Sequence, residues 1–214
     1  LTFDAAARET NFPLVTVRPS LTYGDHHIPL ILNSWTHPYT IIDRMKRGQA
    51  VILPGDGASL WTITHADDFA FGLAGLLGNP QTLGHAFHIT SDESITWRQA
   101  YEMAAAAFNV PYIPVEISSQ TLAKAYPDWE GTLLGDKAIS VVFHNSKIKR
   151  FVPGFAASIG FAEGMRRAAT WFTEHPGFRT VEPELDARHT QLAGMYHELE
   201  AAWVGRLRRG DTVR

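Results

Sequence analysis

Short apolar, β-branched runs alternate along this chain with segments of helical periodicity, and that alternation constrains the fold more than any other feature of the sequence. FPLVTV at 12–17 reads as a buried strand that stops at Arg18-Pro19, because proline cannot extend a hydrogen-bonded ladder. A turn region, YGDHHIPL, follows. Thr40–Arg47 has helical spacing and ends at Gly48; AVIL at 50–53 is a strand running into the turn Pro54-Gly55-Asp56-Gly57, and Leu60–Thr64 is another. Ala66–Leu77 is helical, with Asp67 and Asp68 in the first turn where the helix dipole favours acids. AFHIT at 86–90 is a strand. Thr96-Trp97-Arg98-Gln99 has capping-box spacing and opens a helix through Phe108. YIPVEI at 112–117 reads as a strand, Ser118–Ala125 as a helix, SVVF at 140–143 as a strand, Phe161–Glu174 as a helix ended by His175-Pro176-Gly177, and 184–206 as a last helix. Strands alternating with helices imply an α/β architecture.

The 214 residues lie between one domain and two, and with 45% hydrophobic and 19% charged residues they can build a core without staples. The sequence holds no cysteine, which excludes disulfides, thiolate nucleophiles and cysteine metal sites. A net charge of −3 offers no global field for nucleic acid or anionic membrane, and no apolar run approaches the roughly 18 residues of a membrane span. The expected setting is cytoplasmic. At the start, Leu1, Phe3, Ala6 and Ala7 fall on one helical face and Asp4, Arg8 and Glu9 on another, with no cap before them, so further chain is expected upstream.

VTVRPSLTYGD at 15–25, together with LPGDGASLWTITHADDFA at 53–70, resembles the second half of the extended short-chain dehydrogenase/reductase family, the NAD-dependent epimerase/dehydratase group. HAFHITSDESIT at 85–96, GDKAISVVFHNSKIKRFVPGF at 135–155 and the helix ending WFTEHP at 171–176 continue in that family's order. The resemblance implies the C-terminal part of a Rossmann-like doubly wound sheet plus a small mixed α/β substrate-binding domain. Residues 1–25 would end the nucleotide-binding domain, 26–180 would form the substrate-binding region interleaved with the last Rossmann elements, and 181–214 a C-terminal helical appendage. The implied cofactor is NAD or NADP, bordered by Arg18, Pro19 and Ser20, with Arg18 as an ion-pair partner that positions the loop.

Two departures matter. The family's catalytic pair is a Tyr with Lys four residues on, the lysine lowering the phenol pKa; none of Tyr23, Tyr39, Tyr101, Tyr112, Tyr126 or Tyr196 has such a lysine. No catalytic residue is therefore assigned in this chain, and the pair is expected in a missing N-terminal half. Gly72, Gly75 and Gly78 have GxxGxxG spacing but lie in a helix that begins with aspartates, so they read as close-packing positions rather than a phosphate cradle.

The substrate implied by the resemblance also departs from sugar nucleotides. Where those members hold a diphosphate with an asparagine and two arginines, this sequence has Leu21, Trp61 and Leu133. Unpaired phosphate charges there are costly, so a nucleotide-sugar substrate is disfavoured and a small carbonyl or alcohol fits better. Leu21, Tyr23, Trp61, His65 and Leu133 are the candidate substrate-binding residues, with Tyr23 open to a packing role and Trp61 equally read as a core indole. No metal is expected: adjacent His26 and His27 should point apart, and His85 and His88 fall on opposite strand faces.

Expected partners are a small-molecule substrate, the missing half of the same enzyme and a second copy in a homodimer. The tail sets Leu185, Leu192, Met195, Leu199 and Trp203 at helical spacing, for packing on its own domain or a partner. The leading reading is the C-terminal substrate-binding portion of an NAD(P)-dependent oxidoreductase or epimerase-like enzyme, inactive by itself. The alternative is a non-catalytic nucleotide- or RNA-binding regulatory protein of the same fold.

Overall fold

The computed structural model describes residues 3–209, so the expected contribution of Leu1 to the first helix and the last residues of the expected appendage lie outside the described residues. The first elements are α1 (Phe3–Thr10), β1 (Thr16–Pro19), β2 (Leu21–Tyr23), α2 (Thr40–Lys46), β3 (Val51–Pro54), β4 (Leu60–Trp61), β5 (Ile63–His65) and α3 (Ala66–Leu76). They are followed by β6 (Ala86–Ile89), β7 (Ile95–Thr96), α4 (Trp97–Phe108), β8 (Pro114–Ile117) and α5 (Ser119–Ala125). A one-turn α6 (Glu130–Thr132) then leads into a π-turn at Leu133–Lys137, and α7 (Ser146–Phe151), α8 (Phe161–Glu174) and α9 (Pro183–Arg209) complete the chain.

The strands pair two by two: β1 with β6, β2 with β5 and β3 with β8 in parallel, and β4 with β7 antiparallel. Parallel pairs connected through helices are the signature of a wound α/β sheet. The β1–β6 pair, α3 and α7 enclose a small core of Leu76, Phe87, Ile89, Ile148, Val152 and Phe155. A larger core gathers β3, α2, α4 and α8 around Ile41, Ile52, Trp97, Tyr101 and Phe172.

Local signals explain most boundaries. Thr96 Oγ1 accepts from Gln99 N at 3.1 Å while Gln99 Oε1 accepts from Thr96 N at 2.9 Å, the expected capping box. The glycines of α3 divide. A Cβ on Gly72 would meet Ile89 and Phe155, and one on Gly75 would meet Val152, so both are close-packing positions. Gly78 has nothing near it and instead closes the helix at φ +70°.

Four expectations fail, each for a physical reason. The FPLVTV run is not a buried strand: pairing begins at Thr16, and Arg18 and Pro19 are exposed because β1 has only β6 beside it among the described residues. Leu60–Thr64 breaks at Thr62 into two strands, since β4 pairs with β7 and β5 with β2. SVVF at 140–143 is not a strand; it is tied to β4 through Val141 N donating to Leu60 O and Leu60 N donating to Ser140 Oγ. His26 and His27 do not point apart, because the turn closed by His27 N donating to Gly24 O brings their rings to 4.3 Å. The tail helix α9 packs on its own chain over its first half only: Leu185, His189, Leu192 and Ala193 are buried, whereas Met195, Leu199 and Trp203 are exposed.

Candidate functional site

β1 ends in Arg18-Pro19, Ser20 alone separates it from β2, and β2 has the register Leu21–Ile63, Thr22–Thr64, Tyr23–His65 against β5. Ligand crevices in wound sheets lie at such strand ends. Ser20 Oγ lies 3.1 Å from Thr64 Oγ1, and the buried Thr64 hydroxyl also accepts from Ser91 N at 2.9 Å. Thr64 thus joins the ends of β1, β5 and β6. When Thr64 gives its proton to Ser20, the Ser20 hydroxyl keeps its own proton to donate outward. Arg18 makes no ion pair among the described residues, contrary to expectation; its carbonyl lies 3.2 Å from His88 Nδ1, and its exposed side chain lines an open hollow with Asn11, Phe12 and His85.

His65 is both the end of β5 and the N-cap of α3. Its Nδ1 accepts from Asp67 N at 3.3 Å, so the neutral ring carries its proton on Nε2, facing Asp25 Oδ1 at 2.8 Å. Tyr23 stands edge-on to the imidazole at 5.3 Å. The Tyr23 hydroxyl is buried without a hydrogen-bond partner. Burial first, then the charges of Glu93, Asp25 and Asp68, push its pKa far above the usual phenol range. A phenol held neutral in this way packs the core.

The five candidate substrate residues separate by burial. Leu21 is half-buried at the strand end, while Tyr23, Trp61, His65 and Leu133 are buried. Trp61 lies 5.9 Å from Trp97, and Lys137 Nζ sits 5.1 Å over the Trp61 ring. Sequence reasoning missed Lys137. Its charge is engaged by Asp136 at 2.6 Å, so the ammonium beside Trp61 is already paired.

Three further side chains hold the segments around these strand ends. Asp68 accepts from the backbone N–H groups of Ser158 (3.1 Å) and Ile159 (2.9 Å), Glu93 accepts from Phe161 N at 2.7 Å, and buried Asn145 brackets Thr90 through its N, O and Oγ1 atoms. Together they fasten the 155–161 segment and the end of β6 against α3. Only Asp68 had a signal in the sequence, its place in His65-Ala66-Asp67-Asp68. Among the described residues, no group of three His, Asp or Glu side chains could hold a metal, and no helix is long and apolar enough to cross a membrane.

Residues 2–90 match the sequence profile of the NAD dependent epimerase/dehydratase family. A 2'-dehydrokanamycin reductase of Streptomyces kanamyceticus is 35% identical over 145 residues, 68% of this chain and 40% of the relative. Among solved structures, an epimerase from Methanothermobacter thermautotrophicus superimposes with a TM-score of 0.64 at 18% identity, covering 82% of this chain and 48% of that one. A dTDP-glucose 4,6-dehydratase from Streptomyces venezuelae, solved with NAD, gives 0.58 at 21% identity over 84% and 49%. A short-chain dehydrogenase/reductase superfamily protein from Agrobacterium tumefaciens with bound NAD gives 0.56 at 18% identity over 81% and 55%. At these identities the structural likeness is one of fold. The chain spans 40% of the reductase and about half the length of the solved relatives.

Proposed function

We propose, from the match of residues 2–90 to the NAD dependent epimerase/dehydratase family, that this chain forms the substrate-binding portion of an NAD(P)-dependent reductase acting on a small carbonyl or alcohol rather than on a nucleotide sugar. The observation that carries the reading is that Trp61 and Leu133, which the resemblance sets where sugar-nucleotide members hold a diphosphate, are buried and apolar. Trp61 and Leu133 are 6% and 0% exposed, and the neighbouring Lys137 ammonium is paired with Asp136. A diphosphate placed there would meet no unpaired cation, a penalty of several kcal/mol by order of magnitude. The relative named for the reduction of 2'-dehydrokanamycin supports a reductase on a substrate that is not a sugar nucleotide.

In this reading the exposed Pro19 and Arg18 backbone and the Ser20 hydroxyl border the nicotinamide, which when bound supplies or accepts the hydride. Thr64 orients Ser20. Leu21 meets the substrate, and Tyr23, His65, Trp61 and Leu133 shape the cleft wall from behind. Residues 1–25 then belong to the nucleotide-binding domain, 26–180 to the substrate-binding region and 181–214 to the appendage. A cytoplasmic homodimer belongs to the same reading. The proton step is assigned to no residue of this sequence, because none of its tyrosines has Lys four residues on. The second reading is a non-catalytic nucleotide- or RNA-binding protein of the same fold.

The test is a screen of ketone and alcohol substrates with NADH, NADPH and their oxidised forms, alongside UDP- and dTDP-hexoses, run on the protein together with the N-terminal half that this reading expects. Nicotinamide-coupled turnover of a non-nucleotide carbonyl is the expected result. Turnover of a nucleotide hexose would overturn the substrate assignment, and nicotinamide binding with no turnover would select the second reading.

A further inference from the structure

Beside the Asp25–His65 pair the chain builds an aromatic pocket that the proposed reaction does not use. It has a volume of about 480 Å³, within the range of small-molecule sites. Its walls are the rings of His26, His27, Trp35, Trp171 and Phe178. His26 lies 6.0 Å from Trp171, His27 5.6 Å from Trp35, and Trp171 5.1 Å from Phe178. His175 stacks on Trp171 at 4.5 Å with an interplanar angle of 17°, which holds the indole in place. The rim is fastened by His37 Nδ1 and Thr180 Oγ1, 2.8 Å apart across 143 residues of sequence.

We propose that this pocket binds a ligand made of a saturated or aromatic ring that carries an ammonium group. Aromatic faces present the negative side of their quadrupole and attract a cation, more strongly when it is shielded from water. No lysine or arginine lines the pocket. Burial, then the neighbouring His26, holds the His27 imidazole below its ordinary pKa, so that ring is uncharged near neutral pH and does not repel a cation.

The adjoining hollow supplies the counter-charge. Trp171 also forms a wall of that second hollow, which contains Asp25, Glu163 and Glu174 together with Arg166 and Arg167. Both arginines are engaged, Arg166 with Glu163 at 2.7 Å and Arg167 with Glu163 and Asp67 at 3.3 Å. Glu174 makes no ion pair among the described residues, and Asp25 pairs with the His65 ring at 2.8 Å. An ammonium seated on Trp171 therefore adjoins a hollow whose two arginines are already paired and whose Glu174 is not.

The test uses one ring with three charges: cyclohexylamine, a cation at neutral pH, cyclohexanol and cyclohexanecarboxylate. Each is titrated into the protein by calorimetry and by the indole NMR signals of Trp35 and Trp171. Cyclohexylammonium should bind at least about 10-fold more tightly than cyclohexanol, with the carboxylate weakest, and Trp35→Leu and Trp171→Leu should each weaken the cation by about 10-fold. Trp35 is 56% exposed, so its replacement leaves the core intact and keeps the test valid if Trp171→Leu fails to fold. Equal binding of amine and alcohol, cation binding indifferent to Trp35→Leu, or no shift at either indole would overturn the proposal. The outcome is independent of whether the protein reduces a carbonyl.

Discussion

A side chain on Gly164 would occupy the position of the Tyr23 hydroxyl. The glycine is the one residue of α8 that lets β2 lay its tyrosine ring against the helix, with Phe161 at 5.7 Å on one side and His65 at 5.3 Å on the other. Gly164→Ala should therefore cost about 1–3 kcal/mol through overpacking, read as a lower denaturant midpoint at unchanged slope. Tyr23→Phe removes a buried hydroxyl that has no partner, and by itself it should be neutral or slightly stabilising. Combined with Gly164→Ala it should recover part of the loss. A double variant no more stable than Gly164→Ala would refute the contact.

His189 ties α9 to the core through both ring nitrogens. Nδ1 accepts from Ile52 N at 3.1 Å and Nε2 donates to Leu32 O at 3.2 Å. Burial, opposed by the Leu32 hydrogen bond and aided by Arg44, lowers its pKa to about 4 from 6.5. The unfolded chain thus binds a proton that the folded chain does not between those values. The contribution is complete above pH 6.5 and falls away as pH drops toward 4, by roughly 3 kcal/mol in all. Urea unfolding from pH 7 to 4 should show this slope, and His189→Gln should flatten it.

Arg44 is 2% exposed and donates to Ala50 O, Asp186 O, Asp186 Oδ1 and Thr190 Oγ1. Burial pushes the Asp186 carboxyl up, but hydrogen bonds from Arg44 and Arg47 hold it net below the usual carboxylate range. Asp186→Ala leaves a buried guanidinium short of its counter-charge and should cost about 3 kcal/mol. The loss should concentrate where α9 docks. Hydrogen exchange should speed up at 183–193 and stay unchanged at β1 and β6, and uniform acceleration would count against the assignment.

Thr64→Val removes the acceptor for Ser91 N and the partner of Ser20 together. A stability loss of about 1–3 kcal/mol is expected from the unsatisfied N–H. Ser20→Ala, at a half-buried position, should leave stability within about 0.5 kcal/mol yet weaken nicotinamide binding several-fold. Equal nicotinamide affinity in Ser20→Ala and the parent would remove Ser20 from the cofactor border.

Much of this protein was legible locally. The Thr96–Gln99 capping box, the Phe161–Glu174 helix and the aspartates opening α3 depend on side chains three or four residues apart, and the structure keeps each where spacing put it. The Ser140–Phe143 run looked like a strand because β-branched residues favour extended backbone, but a strand also needs a partner edge, and only single hydrogen bonds to Leu60 reach it. His26 and His27 were set apart by assuming an extended loop, whereas a turn at Gly24 brings them together and so builds one wall of the aromatic pocket.

The sequence by itself determined the α/β alternation and the helix caps, since these follow from residue type and short spacing. Tertiary structure alone decided that Trp61 and Leu133 are buried, that Lys137 is paired beside them, that Asp68 reaches across 90 residues to Ser158 and that half of α9 packs while half stays exposed. The reason is physical. Helix caps and turns are satisfied within one turn of backbone, whereas burial and ion pairing depend on which distant elements share a face once the chain has folded.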